Sequence, residues 1–188
     1  MVNRFFFKWS EDQEKTINRA RELGGLEAIE KVMDRVEKLK VAVVGEPIVD
    51  TYVFCVPESI SSKSPSISAR YLYKEDYAGG SLAIANHLSD FVDEVKLVLT
   101  HGGESYFQQM LKEKIDPRIK VKDHVMPSVP TPKKTRYIAV DKSQRIFELT
   151  DIRSDQWMNN DPRPFLKIFT DETAKQDVNI LCDLARTH

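Results

Sequence analysis

The sequence predicts an α/β fold in which a parallel sheet is flanked by helices and carries a small β-flap, a lid over one end. Three observations carry that prediction. The runs VAVVG at residues 41–45 and EVKLVLT at residues 94–100 are short, rich in branched apolar residues and nearly unbroken, the pattern of strands buried on both faces. Helical patterns alternate with these runs in units short enough to imply right-handed crossovers. The paired glycines Gly79 and Gly80 stand directly before an apolar helical stretch in which Leu82, Ile84, Ala85, Leu88 and Phe91 recur at helix spacing, with polar Asn86 among them.

Length and composition narrow the class of partner. A chain of 188 residues is long enough to bury a real core in one domain, with room for an appendage. Its 28 basic and 29 acidic residues leave it nearly neutral, and no long block is dominated by one sign. That argues against nucleic acid or an anionic membrane surface as partner. Cys55 and Cys182 stand far apart without companions at metal-ligand spacing, so neither a disulfide framework nor a zinc site is expected. The N-terminus turns polar before a signal sequence or membrane span can form, and a cytoplasmic setting is expected.

Taken in order, residues 1–39 read as a helical lead-in. Ser10 followed by Glu11 and Asp12 is an N-cap with an acidic first turn, and Gly24-Gly25 separates this helix from a second. In the second, Ile29, Val32, Met33, Val36 and Leu39 mark one buried face. Phe5, Phe6, Phe7 and Trp9 ahead of it are too apolar for a free tail and pack either on their own helix or on a partner.

After the strand at 41–45, Asp50 is expected just beyond the strand end, where ligands gather in open α/β sheets. Its carboxylate can accept hydrogen bonds from hydroxyl groups or cap its own turn. Residues 58–68, rich in Ser, Pro and Lys, read as a loop, and ARYLYKEDY leads from it as an extended segment to the glycine pair. Gly79 and Gly80 either start a core helix or let a ligand approach the unpaired amides at its N-terminus.

Beyond the second buried strand, HGGES is a turn followed by a helix, and IKVKDHVM is a strand. TRYIAVD and QRIFELT form a hairpin around Lys142 and Ser143. Lys133, Lys134, Arg136 and Arg145 give it a local positive field, which is either solvated or suited to a phosphate. A short helix and one more buried strand, VNILCDL, close the chain.

The order of VAVVGEPIVDTYVF, ARYLYKEDY, AGGSLAIANHLSDF, VKLVLTHGGES, PTPKKTRYIAVDKSQRIFEL and DVNILCDL resembles the ribokinase, or PfkB, family of carbohydrate kinases. Within it the sequence is most similar to heptose-phosphate kinases and to kinase-like domains that follow a nucleotidyltransferase domain, with MVNRFFFKWS as the seam after such a domain. The resemblance implies that residues 40–188 are the N-terminal part of a ribokinase-like domain, with lid segments near 50–77 and 134–150. It implies that Asp50, Gly79 and Gly80 hold sugar hydroxyls, with Asn86 one turn into the helix. Lys134 and Arg136 would suit a phosphorylated sugar through charge-assisted hydrogen bonds, and Asp183 would line the junction of sugar and nucleotide sites.

Two departures qualify what the resemblance implies. Ala83 stands where the family often has Asn, which bears on substrate identity. The family's Gly-Ala-Gly-Asp turn and ATP-binding loops have no counterpart, and no glycine follows Gly103. The family uses ATP and Mg2+, and phosphoryl transfer depends on groups that position and neutralise the phosphates, so neither cofactor is expected to bind this chain alone. The expected function is therefore the substrate-binding half of a sugar or sugar-phosphate kinase, inactive alone. The alternative is a non-catalytic sugar-binding or interaction module that forms a homodimer or complements a partner chain. A dinucleotide oxidoreductase is disfavoured because VAVVGEPIVD lacks GxGxxG spacing.

Overall fold

A computed structural model describes residues 9–60, 66–153 and 160–184, so the Phe5, Phe6 and Phe7 cluster lies outside the described residues. The contacts divide the chain into two compact units, residues 1–38 and 39–188.

In the first unit, α1 (Glu11–Glu22) opens with a complete capping box. The Ser10 hydroxyl accepts from the Gln13 amide at 3.3 Å, and the Gln13 side chain accepts from the Ser10 amide at 2.8 Å. Gly24 and Gly25, both at positive φ, turn the chain into α2 (Gly25–Val36). Of the face expected to be buried, Ile29 and Val32 are exposed, while Met33, Val36 and Leu39 are half-buried.

The second unit holds two four-stranded sheets. The core sheet is wholly parallel, in the order β5 (Lys120–Val125), β4 (Glu94–His101), β1 (Lys40–Gly45), β8 (Val178–Cys182). Along β1, Val41 and Val43 face one side and pack in the main core with Leu82, Ala85, Leu97, Leu99, Phe107 and Met110. That side is covered by α3 (Ser81–Leu88) and α4 (Ser105–Lys114). Ala42, Val44 and Val98 face the other side, against Phe165, Ile168 and Phe169 of α5 (Arg163–Thr173). Burial on both faces explains the unbroken apolar runs. The exception is β8, expected as buried and found largely exposed because among the described residues it is an edge strand paired with β1 alone.

The expected small flap is a full sheet, in the order β3 (Ile67–Gly80), β2 (Pro47–Ile60), β6 (Lys133–Ala139), β7 (Gln144–Asp151). Both ends of the predicted 58–68 loop, residues 58–60 and 67–68, are strand, since β2 and β3 pair out to Ile60 and Ile67, while residues 61–65 lie outside the described residues. The proline of that stretch, Pro65, lies outside the described residues, while Pro57 just ahead of the stretch has no amide to donate yet lies within β2. Pro57 sits past the end of β6, beside a register shift, where a proline is tolerated. Asp50 is likewise not beyond a strand end but inside β2, because β2 begins two residues after β1 finishes.

Asn86 belongs to the frame of the core. Its Nδ2 donates to the Lys114 carbonyl at 2.7 Å and its Oδ1 accepts from the Asp116 amide at 3.0 Å, tying α3 to the turn after α4. The Asp116 carboxylate accepts from Arg118 and Ser89, and the Arg118 hydrogen bonds hold its pKa down to about 2 from an ordinary 3.8. A depressed carboxylate stabilises the fold above its ordinary range, and this contribution disappears as the pH falls toward 2. A carboxyl carbon NMR titration is expected to place Asp116 near 2, and Arg118→Ala to return it toward 3.8. An unchanged midpoint in the variant would show that Arg118 is not the cause.

Candidate functional site

The site forms where the lid sheet leaves and re-enters the core. At the exit, Gly45 and Glu46 turn β1 into β2; at the return, Gly80 delivers β3 into α3. Ser81 locks the two together, its amide donating to the Glu46 carbonyl and its hydroxyl to the Gly45 carbonyl, both at 3.1 Å. Gly80 has φ 60° and ψ −133°, and a Cβ there would lie 2.6 Å from the Glu46 carbonyl oxygen. Gly79 lies directly under Asp50, so a Cβ on it would run into the Asp50 carboxylate. The glycine pair is thus a requirement of close approach, with a carboxylate lying over it.

Strand register gathers the rest. Asp50 pairs with Tyr77 on β3 and Lys134 on β6, and Tyr52 pairs with Glu75 and Arg136. Side chains alternate across a strand, so these residues share one face. Arg136 Nη1 donates to the Asp50 carboxylate and, at 3.4 Å, to the Tyr52 hydroxyl; its guanidinium lies 5.3 Å from the centre of the Tyr52 ring. On the other side Arg136 Nε pairs with Glu148 of β7 at 2.8 Å, and Arg145 reaches the same Glu148 oxygen at 3.0 Å. Burial works against the Arg136 charge, but the hydrogen bond and charge of Asp50 outweigh it, with Tyr52 and Glu148 adding, and its pKa is raised.

Beside this cluster is a recess of about 410 Å³ lined by Asp50, Tyr52, Phe54, Glu75 and Tyr77. Phe54 stacks on Tyr73 at 4.6 Å, and Tyr52 meets Tyr77 edge to face at 5.6 Å. The Tyr77 hydroxyl donates to Glu75 at 2.6 Å, and this bond with the Glu75 charge pushes the Tyr77 pKa up. Carboxylates beside aromatic faces suit a polyol: the oxygens accept from hydroxyls, while the rings cover its carbon-bound hydrogens.

Of the residues singled out from sequence, Asp50, Gly79, Gly80 and Arg136 come together, with Lys134 on the same sheet face. Asn86 does not join them, because both polar ends of its side chain are occupied in the core. Asp183 lies elsewhere too, in a recess of about 330 Å³ at the ends of β1, β4 and β8 with Glu46, Thr100, Phe165 and Cys182. Glu148 was not anticipated; its signal was its position opposite Arg136 in the 133–151 hairpin.

A second polar group escaped sequence reading. His101, fully buried, accepts the Gly103 amide at Nδ1 and meets Asp123 through Nε2, each at 2.9 Å. Glu104 accepts from the Thr131 amide at 2.8 Å and from its hydroxyl at 2.6 Å, and Thr131 in turn accepts from the Gly102 amide. These bonds fasten the loops that follow β4 and β5.

For ATP and Mg2+ the residues present do not fit. No group of three or more His, Cys, Asp or Glu able to hold a metal occurs among the described residues. Among the described residues the strand-end recess presents Glu46 and Asp183 and no lysine or arginine, a poor cradle for phosphates. Both cysteines are free, and no helix among the described residues is long and apolar enough to cross a membrane.

The fold is similar to those of two solved kinases. A carbohydrate kinase from Agrobacterium tumefaciens is similar over 76% of this chain, with a TM-score of 0.56 and 18% identity. Ribokinase from Giardia lamblia is similar over 77%, with a TM-score of 0.52 and 14% identity. This chain spans 45% and 42% of the lengths of those two proteins, and at such identities the likeness establishes the fold. No protein-family model and no curated protein sequence matches.

Proposed function

We propose that this chain is the sugar-binding part of a ribokinase-type carbohydrate kinase. The observation that carries the proposal is the Asp50 carboxylate lying over Gly79, at the start of α3 and beside an aromatic recess. The names of the two structural neighbours, a carbohydrate kinase and a ribokinase, support it. In this reading, sugar hydroxyls donate to Asp50, the bare backbone of Gly79-Gly80 admits the ring, and Tyr52, Phe54 and Tyr77 cover its apolar face. Arg136 holds the carboxylate in place through their ion pair. Transfer of a phosphoryl group in the intact enzyme would draw on ATP and Mg2+, held by groups that residues 1–188 do not carry, so this chain alone is expected to bind sugar without turning over ATP. Heptose phosphates are the finer substrate class to compare with simple hexoses. The cytoplasm is the proposed setting, consistent with two unpaired thiols.

Calorimetry with a panel of hexoses and heptoses tests the assignment. Binding on the order of millimolar is expected, and Asp50→Asn is expected to weaken it about 10- to 100-fold, the worth of hydrogen bonds to a charged group. No heat from any sugar, or equal binding by the variant, would overturn the sugar site.

A second reading, an interaction module that pairs with another copy or a complementing chain, is favoured by one observation. β8 presents an unpaired outer edge among the described residues, with Leu181 70% exposed. Sedimentation showing a dimer, together with no sugar binding, would favour this reading over the first.

A further inference from the structure

We infer that the lid recess selects an uncharged polyol over its phosphorylated form, and that Glu148 sets this selection. The inference rests on the sugar-site reading and names the charge of its substrate. Arg136 is one of two cations, with Lys134, that the resemblance suggests for a phosphate, yet it is already held between two carboxylates. Nη1 serves Asp50, Nε serves Glu148, and the guanidinium carbon lies 5.3 Å from the centre of the Tyr52 ring. All three charged side chains are mostly buried: Arg136 is 19% exposed, Asp50 22% and Glu148 28%. Charges so placed are weakly screened and strongly coupled.

The recess adds a further carboxylate, Glu75. Lys134 sits beside Asp50 in register but does not line the recess, and Arg145 pairs with Glu148 from a mostly exposed position. A phosphate entering the recess therefore meets Asp50 and Glu75 before any unbalanced cation, and unlike-for-like replacement of Asp50 or Glu148 by phosphate on Arg136 would leave a partly buried carboxylate unpaired. A neutral polyol meets only acceptors and ring faces. Glu148 touches no ligand directly in this arrangement; it acts through Arg136 by cancelling its charge and fixing its plane.

The test is calorimetry of glucose and glucose 6-phosphate, and of a heptose and its phosphate, on the wild-type chain and on Glu148→Gln. The wild type is expected to prefer the neutral sugar by about tenfold or more, the effect of one misplaced charge at a partly buried site. Glu148→Gln is expected to narrow or reverse that ratio by about tenfold while keeping neutral-sugar affinity within a few fold. A wild-type preference for the phosphate would overturn the inference and leave the sugar site standing. An unchanged ratio in a folded Glu148→Gln variant would remove Glu148 from the selection. No binding of either form by the wild type would sink the sugar site itself and this inference with it. The wild-type ratio does not depend on any variant folding.

Discussion

Gly80→Ala and Gly79→Ala are expected to fail in different ways although they are neighbours. At Gly80 the backbone adopts φ 60° and ψ −133°, a region open essentially to glycine, and the added Cβ meets the backbone carbonyl of Glu46. Neither can move aside, because Ser81 ties that carbonyl to the start of α3. The variant is expected to lose about 1–3 kcal/mol from strain alone, before the clash is counted. At Gly79 the main obstacle is the Asp50 carboxylate, the end of a side chain that can rotate away, with the Ile48 carbonyl oxygen a looser contact at 3.1 Å. Gly79→Ala should therefore fold close to normally and lose sugar binding, since Asp50 would leave both the recess and Arg136. Thermal unfolding paired with calorimetry reads the two effects. Equal stability loss in both variants would contradict the placement of Asp50 over Gly79.

Phe107→Ala is expected to be the most damaging single truncation in the core. Phe107 is fully buried in the main cluster and lies 4.8 Å from the His101 ring, so it braces α4 against the end of β4. Removing a buried phenylalanine costs about 3–5 kcal/mol through lost transfer energy and the cavity left behind. That is a large share of the stability of an ordinary domain. Urea denaturation should show the midpoint falling accordingly, and a loss under about 1 kcal/mol would mean that α4 can collapse into the space.

How far the sequence discloses this molecule depends on the range of the forces involved. The core strands were legible because burial on both faces leaves an unbroken apolar run, as in Val41, Ala42, Val43 and Val44. The glycine pair was legible because the backbone at Gly80 admits only a residue without a side chain, and at Gly79 a side chain would displace Asp50. The extent of the lid was not, since strand pairing of β2 with β3, Ser59 opposite Ser68, overrides the turn-forming character of those serines. The edge exposure of β8 was missed for a related reason: five apolar-rich residues read alike whether a neighbour lies beyond them or not. Arg136 was noticed for its charge, but its meaning depends on Glu148, and that pairing exists only through the register of the β6–β7 hairpin. Asn86 looked available in sequence because its two partners, at Lys114 and Asp116, lie about thirty residues away.

The most direct measurement of the central claim is an amide NMR titration of the isotope-labelled chain with a neutral hexose. Binding at the lid recess predicts saturable shifts at Asp50, Tyr52, Gly79, Gly80 and Ser81 and at the Arg136 side-chain Nε–H, with the core beyond α3 unmoved. Shifts centred instead on Glu46, Thr100, Leu181 and Asp183, or no saturable shift at all, would contradict the assignment of the sugar to Asp50 and the glycine pair.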